Sequence, residues 1–376
     1  MASWKQIQSI TGIWAVFSTA AGLLFVGSRV ALAESPEPKN PSPVIATATP
    51  AKVPPVPVAG PLAGPRSLKQ VGLPIQQTLA EIPADNPQTP EKIALGEKLF
   101  FEPRLSVDGT VACASCHDPE RAFTDGRPAS VGVQGRVGQR NAPTVLNALY
   151  NKKQFWDGRS ETLEDQAVMP ITNPSEMGQA SLDTAVAMLR AIAEYKEEFQ
   201  HVFGRDPTGL TLVRAIAAYE RTLVSFDSPF DQFIAGDANA IDDAAKRGWV
   251  LFNTKAECNR CHASVNRDVT YFTDFRFHNI GIGILRHNVT PLALKAMQEI
   301  KKGDLSAVDR SAIQSDFSVL GRFLVTRQEA DVASFKTPTL RNVLVTAPYF
   351  HDGSVQTLWD AVDHYNKGDG LKDPVA

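Results

Sequence analysis

Two five-residue stretches hold the most reactive chemistry in this chain: Cys113-Ala114-Ser115-Cys116-His117 and Cys258-Asn259-Arg260-Cys261-His262. Two thiols three residues apart can add across the two vinyl groups of one porphyrin. The adjacent His then reaches the iron from the proximal face. Cys-x-x-Cys-His therefore reads as the attachment site of a c-type haem, and the chain is expected to carry two haem c groups. The motifs use all four cysteines, which leaves none for a disulfide. The alternative is a four-cysteine zinc site built from two Cys-x-x-Cys knuckles. It leaves the His after each pair unexplained.

What each iron would do depends on its sixth ligand. A protein ligand there favours electron transfer, and an open position lets a small molecule bind. The chain has seven histidines, none lies between His117 and His201, and no Met follows Met297. An internal repeat supplies a further clue. Sliding the sequence by 195 positions without a gap lays Pro143-Thr144-x-x-Asn147-x-Leu149 on Pro338-Thr339-x-x-Asn342-x-Leu344. Phe155-Trp156-Asp157-Gly158 then falls on Phe350-His351-Asp352-Gly353, and Thr162-Leu163-x-Asp165 on Thr357-Leu358-x-Asp360. Ten of 23 positions from 143 to 165 are identical, so each half reads as one haem unit of the same design. The repeat pairs Pro170, which has no group for iron, with Tyr365, whose phenol oxygen is a hard anionic ligand. Tyr365 is thus the favoured sixth ligand of the second iron. His278, His287, His364 and Met297 compete with it, and a Tyr packed in a core is the alternative.

The elements that must position these residues read as helices. Thr89-Pro90-Glu91 is a helix start with an N-cap, Pro at the first helical position and an early acid. Leu95 and Leu99 share a face. Gly96-x-x-Leu99-Phe100 before the first motif is echoed by Gly248-x-x-Leu251-Phe252 before the second, and Gly permits close approach at such a position. Ser181 caps a run with Ala185, Met188, Leu189 and Ile192 at helical spacing. Thr211 opens another with Val213, Ile216, Ala217 and Leu223. Gly353-Ser354 starts a helix that lays Leu358, Val362 and Tyr365 on one face. No strand pattern stands out, so the fold class is all-α. The turn-rich Phe226-Asp227-Ser228-Pro229 divides a haem unit over 73–228 from one over 229–376.

Residues 1–33 read as an export signal. Lys5 gives a basic start, Ile10 to Val26 is apolar, and Ala31-Leu32-Ala33 is an A-x-A cleavage site. An uncleaved membrane anchor is the alternative; no Cys nearby supports a lipid anchor. Export fits the haem reading, since c-type attachment is completed outside the cytoplasm, and it places the protein in the periplasm. Residues 34–66 hold ten of the 26 prolines, and 34–72 reads as an extended Pro-rich linker. The 376 residues suffice for two modest domains, while a net charge of -3 without a Lys/Arg run points away from nucleic acid.

Taken together, Arg140-Asn141-Ala142-Pro143-Thr144, Phe155-Trp156-Asp157-Gly158-Arg159, Asn173-Pro174-Ser175-Glu176-Met177 and Pro348-Tyr349-Phe350-His351-Asp352-Gly353 resemble the bacterial di-haem cytochrome c peroxidase family, especially its MauG-like branch. The resemblance covers roughly residues 73 to 370. It implies two tandem cytochrome c-like domains, with a peroxidatic N-terminal haem and an electron-transfer C-terminal haem. It places Glu176 on the distal side as acid/base, Gln166 as the distal glutamine and Trp156 between the haems. It also implies a calcium ion bound by oxygens of Asn141, Thr346 and Pro348. Tyr365 falls where ordinary peroxidases of the family have Met and the MauG-like branch has Tyr. The loop from Pro128 to Gln139 lacks the His that closes the resting peroxidatic haem in ordinary members, and Val133 stands near that position. The chain ends at Ala376, where family members usually continue into another helix.

The activity this implies is reduction of hydrogen peroxide, with electrons drawn from a small cytochrome or copper protein. A MauG-like oxidase acting on residues of a partner protein is the second reading, and a non-enzymatic two-haem carrier or sensor is the third. The resemblance also implies a tendency to form homodimers.

Overall fold

A computed structural model describes residues 82–263, 270–284 and 287–367. All of them belong to one unit, Pro55–Ala376. The export signal over 1–33, the linker over 34–72 and the start near Leu73 lie outside the described residues.

The N-terminal half is built on α1 (Pro90–Phe100), which opens as expected: the Thr89 side chain accepts from the Lys92 N–H, and Pro90 occupies the first helical position. The first haem motif follows as a single turn, α2 (Cys113–Cys116). Then come α3 (Leu163–Thr172), α4 (Leu182–Arg190), α5 (Ala193–Phe203) and α6 (Gly209–Glu220). Ser181 caps α4 as expected. α6 starts earlier than the sequence reading has it. Thr208 is its N-cap and Thr211 is the third helical residue, the two side chains forming a reciprocal capping box.

Leu95, Leu99 and Phe100 of α1 join Leu189, Tyr195, Phe199, Leu212 and Ile216 in one core. The contact between α1 and α6 is backbone on backbone. A Cβ at Gly96 would stand 1.9 Å from the Ala215 carbonyl oxygen, so no other residue fits without moving a helix. The second Gly of this signature differs: no described atom lies within 4 Å of a Cβ at Gly248.

The C-terminal half follows the turn-rich stretch over 226–229. Asp227 adopts a left-handed φ of 61°, and Ser228 caps α7 (Pro229–Ile234). α8 (Asp243–Asn253) leads to the second haem motif, a 3₁₀ turn over Cys258–Arg260. β1 (Phe277–His278) pairs antiparallel with β2 (Phe335–Lys336). Between them α9 (Val289–Glu299), α10 (Leu305–Gln314) and α11 (Phe323–Thr326) pack into a second core around Ala296, Val308, Phe317, Leu320 and Leu324. The last helix, α12 (Leu358–Lys367), starts at Leu358 rather than at Gly353-Ser354. Gly353 has φ 59° and Asp352 accepts from the Ser354 N–H, so a turn precedes the helix. No helix among the described residues is long and apolar enough to cross a membrane.

The repeat seen in the sequence is also a repeat of conformation. Asn147 and Asn342 are both left-handed, with φ 63° and 59°, and each opens a 3₁₀ turn, Ala148–Tyr150 and Val343–Val345. Phe155 and Phe350 are left-handed at 66° and 67°. The isolated bridge Gln154–Ser160 recurs as Tyr349–Val355. α3 and α12 begin at matching residues, with Thr162 and Thr357 accepting from the Asp165 and Asp360 N–H groups.

Candidate active site

The two proximal histidines are held in the same way. His117 Nδ1 is 3.1 Å from the Phe123 carbonyl oxygen, and His262 Nδ1 is 2.9 Å from that of Phe272. A carbonyl accepts only, so each Nδ1 carries the proton and each Nε2 is left with its lone pair for a metal. Burial disfavours the charged form of both rings, more than these carbonyls offset. Threonines of the repeat steady both carbonyl loops. Thr144 Oγ1 donates to the Ala122 carbonyl at 2.6 Å, and Thr339 Oγ1 donates to the Tyr271 carbonyl at 2.8 Å, each one residue before the carbonyl that holds the histidine.

Around the first motif lies a cleft with about 1300 Å³ of empty space, continuous with solvent. Cys113, Cys116 and His117 share its walls with Trp156, Gln166, Pro170 and Glu176. The structure thus brings together all the residues assigned to the peroxidatic site. An apolar wall with two thiols, one neutral imidazole and a facing carboxyl fits a c-type haem: the cysteines would hold its edge and His117 its iron.

Glu176 sits in the turn after α3. Its N–H donates to the Asn173 carbonyl at 3.0 Å, and its own carbonyl accepts from the Val133 N–H at 2.9 Å. Gly132 makes that approach feasible, since a Cβ there would lie 2.1 Å from the Ser175 carbonyl oxygen. Val133 is buried and so pins the loop to the Glu176 turn. Glu176 Oε2 is buried without a hydrogen-bond partner. Burial raises the pKa of this carboxyl well above the ordinary carboxylate range, and the nearby Asp309 charge raises it further; Arg159 opposes both.

Trp156 joins the halves. Its Nε1 donates to the Asn141 carbonyl at 2.9 Å, and its own carbonyl accepts from the N–H of Lys336 in β2 at 2.7 Å. The Asn141 N–H donates to the His351 carbonyl at 2.9 Å, which brings the segment after Pro348 against the Asn141 loop. Thr346 Oγ1 donates to the Val343 carbonyl at 3.2 Å.

Near the second motif the flanking helices bury little. α8 has no buried residue, and Leu251, Val362 and Tyr365 are 50%, 61% and 56% exposed. Such unpacked apolar side chains on the helices near the second motif also fit a haem. Although accessible, the Tyr365 phenol is pushed up to about 12, first by the bulk of protein around it and then by Cys261 and Cys258. The ring thus stands near both cysteines. Two of the competing ligands are engaged elsewhere: His278 Nε2 is 2.7 Å from Asp274 Oδ2, and His364 Nε2 is 2.8 Å from the Ile280 carbonyl. His287 and Met297 are exposed. Cys261, Asp274 and His278 also bring ligand-type atoms within 4.8 Å of one another.

The sequence reading missed several groups of this site. Asp157 is fully buried between Arg140 and Arg159, at 2.6 and 3.0 Å. Burial pushes its carboxyl up, but the charges of Arg159 and Arg140 outweigh this and hold it at about 2. Glu220 and Lys336 also line the cleft. Burial takes the carboxyl up to about 8 and the ammonium down to about 8. A carboxylate closing the apolar run Ala215-Ile216-Ala217-Ala218 of α6 was the available signal for Glu220.

Residues 90–239 match the family model of di-haem cytochrome c peroxidase. The chain is 40% identical over 294 residues to the methylamine utilization protein MauG of Methylorubrum extorquens, covering 78% of this chain and 73% of that protein. It is 40% identical over 281 residues to the cytochrome c peroxidase Ccp of Escherichia coli K12, covering 75% of this chain. It spans about half, 54%, of that relative's length. Among solved structures, a MauG-like protein associated with microbial copper homeostasis is 35% identical with a TM-score of 0.61, over 76% of this chain and 79% of that one. The diheme peroxidase BthA of Burkholderia thailandensis is 26% identical with a TM-score of 0.57, over 74% and 72%. The chain belongs to the di-haem cytochrome c peroxidase family.

Proposed function

We propose that this protein is an exported di-haem c-type peroxidase that reduces hydrogen peroxide in the cleft at His117, built as two tandem cytochrome c-like units over 73–228 and 229–376. When bound, the first haem supplies the iron at which peroxide is reduced and the second supplies electrons. The observation that carries the reading is Glu176 Oε2, a buried carboxyl oxygen with no partner, on the same cleft as Cys113, Cys116 and His117. As a carboxylate, Glu176 takes the proton of the entering peroxide and returns it to the departing oxygen, so that two electrons and two protons carry one peroxide to two waters. Gln166 orients the peroxide by hydrogen bonding. Trp156, bonded to both halves, has an oxidisable ring between them. Lone-pair oxygens of Asn141, Thr346 and Pro348 would hold a calcium ion where the two halves meet. The electron donor is a small cytochrome or copper protein, and the active form is a periplasmic homodimer.

A second reading, a MauG-like oxidase that modifies residues of a partner protein, is favoured by Tyr365 beside Cys258 and Cys261. In both readings Tyr365 would supply a protein ligand to the second iron. An electron paramagnetic resonance spectrum of the resting ferric protein tests the common core. One high-spin centre that binds cyanide and one low-spin centre are expected. Two low-spin centres without cyanide affinity would leave an electron carrier in place of the enzyme.

A further inference from the structure

The turn that carries Glu176 belongs to the N-terminal half, yet two of the side chains that hold it, Asp309 and Gln314, come from the C-terminal half. Asp309 of α10 is buried and uses both carboxylate oxygens. Oδ1 accepts from Arg159 Nε at 2.9 Å, and Oδ2 accepts from Asn173 Nδ2 at 2.7 Å. Asn173 is 1% exposed and organises the turn: its Oδ1 accepts from the Ser175 N–H at 3.0 Å, and its backbone carbonyl accepts from the N–H groups of Glu176 and Gly178. Gln314, on the same helix as Asp309, donates to Asn173 Oδ1 at 3.0 Å. Arg159 completes the cluster, with its Nη1 3.0 Å from Asp157 Oδ1.

We propose that Asp309 is a positioning residue for peroxide chemistry, one that clamps the Glu176 turn through Asn173 and keeps a negative charge beside Glu176. The inference rests on the acid/base reading of Glu176 and deepens it. The charged groups felt at Glu176 are Asp309 from α10 and Arg159 from the Trp156 loop. Cys113 and Cys116 of α2 also feel its charge, and as haem thioethers they carry none of their own. Glu220, Arg140 and Lys336 lie on the same cleft. Asp309 disfavours a second negative charge and so opposes ionisation of Glu176, while Arg159 favours it. Removing the Asp309 charge also releases the Arg159 guanidinium from one of its two carboxylates. Both changes make Glu176 ionise at lower pH.

The test is cyanide association with the haem-loaded ferric protein across pH, a binding measurement rather than turnover. Hydrogen cyanide must lose its proton on binding, so association rises with pH until the distal base is ionised. In D309N the midpoint of that rise is expected to move down by about one unit, giving ~10-fold faster association below it. D309E, which keeps the charge, is expected to hold the wild-type midpoint. A rise that survives in E176Q overturns the acid/base reading and this inference with it. A rise absent in E176Q but unmoved in D309N overturns this inference alone. Should D309N fail to take up haem, N173A replaces it: the clamp is cut and the charge stays. Its midpoint is expected at the wild-type pH with association ~10-fold slower throughout, and wild-type association would overturn the clamp.

Discussion

Residues 143–172 and 338–367 form two copies of one scaffold in a single chain, and they serve different ends. Each copy holds its proximal histidine through the same threonine and the same kind of carbonyl loop. Each has the same left-handed residues and a helix starting at the matching position. The differences are side chains on that common frame. Pro170 lines the first cleft where Tyr365 stands in the second copy. Trp156 corresponds to His351, which stacks on Phe335 at 3.5 Å and so fills a core rather than a path between halves. Arg159, with its tie to Asp309, corresponds to Ser354. The scaffold therefore sets the proximal side of each iron. In the proposed function, a few substitutions on the other side decide whether a small molecule can reach it.

The largest effect expected from breaking this comparison is at the shared aspartate. Asp157 lies between two buried guanidinium groups, whereas Asp352 is half-buried and caps a turn. Asp157→Asn leaves Arg140 and Arg159 short of a counter-charge and is expected to lower stability by about 3–5 kcal/mol. Asp352→Asn should stay within about 1 kcal/mol. Urea unfolding of the two variants checks the contrast, and equal losses would remove it. The pH dependence has a definite sign. The folded carboxyl of Asp157 titrates at about 2, below its unfolded value of about 3.9. Its contribution is therefore full above pH ~4 and is lost as pH falls toward 2.

Next in size is the proton transfer proposed for Glu176, four residues beyond the first copy. Glu176→Gln keeps the turn and both haem attachments but removes the proton acceptor. Peroxide turnover is expected to fall ~10²-fold or more, the usual worth of a positioned acid or base. Steady-state assays with a reduced small redox protein measure it, and unchanged turnover would take Glu176 out of the mechanism. A smaller and purely structural effect is expected at Gly96. An added methyl meets the Ala215 carbonyl at 1.9 Å, so Gly96→Ala should lower stability by about 1–3 kcal/mol despite the better helix propensity of Ala. A thermal midpoint at or above that of the wild type would show that α1 and α6 can separate freely.

Much of this was legible in the sequence because local rules agree with the global fold. The Cys-x-x-Cys-His motifs, the Thr89 and Ser181 caps and the 195-residue repeat each state their own structure. The boundaries that slipped did so for local reasons. Thr208 outcompetes Thr211 as a cap because the pair forms a reciprocal box, and Gly353 makes a left-handed turn instead of a helix start. The electrostatic frame of the first site was not legible. Asp157 and Arg159 come from one stretch and Asp309 from another 150 residues beyond Arg159, and no spacing rule joins the two. Only the packing of α10 against the Glu176 turn shows that the C-terminal half helps to build the N-terminal site.

The subtlest test returns to position 365. If the two copies differ because one iron has a ligand from α12 and the other has only Pro170 in that place, removing the phenol oxygen should alter one haem and spare the other. Tyr365→Phe retains the ring that stands 6.4 Å from Phe350 and 5.3 Å from His364, so packing is preserved while the donor atom is lost. Stability is expected to change by less than about 1 kcal/mol. In the resting ferric spectrum the low-spin signal should shift or convert to high-spin, with the existing high-spin signal and its cyanide affinity intact. A phenolate favours ferric or higher-valent iron, so the second haem of the variant should also reduce at a higher potential. An unaltered low-spin signal would return Tyr365 to ordinary packing and leave the second iron to another ligand. The asymmetry between the halves would then rest on the Glu176 turn and the charged cluster behind it.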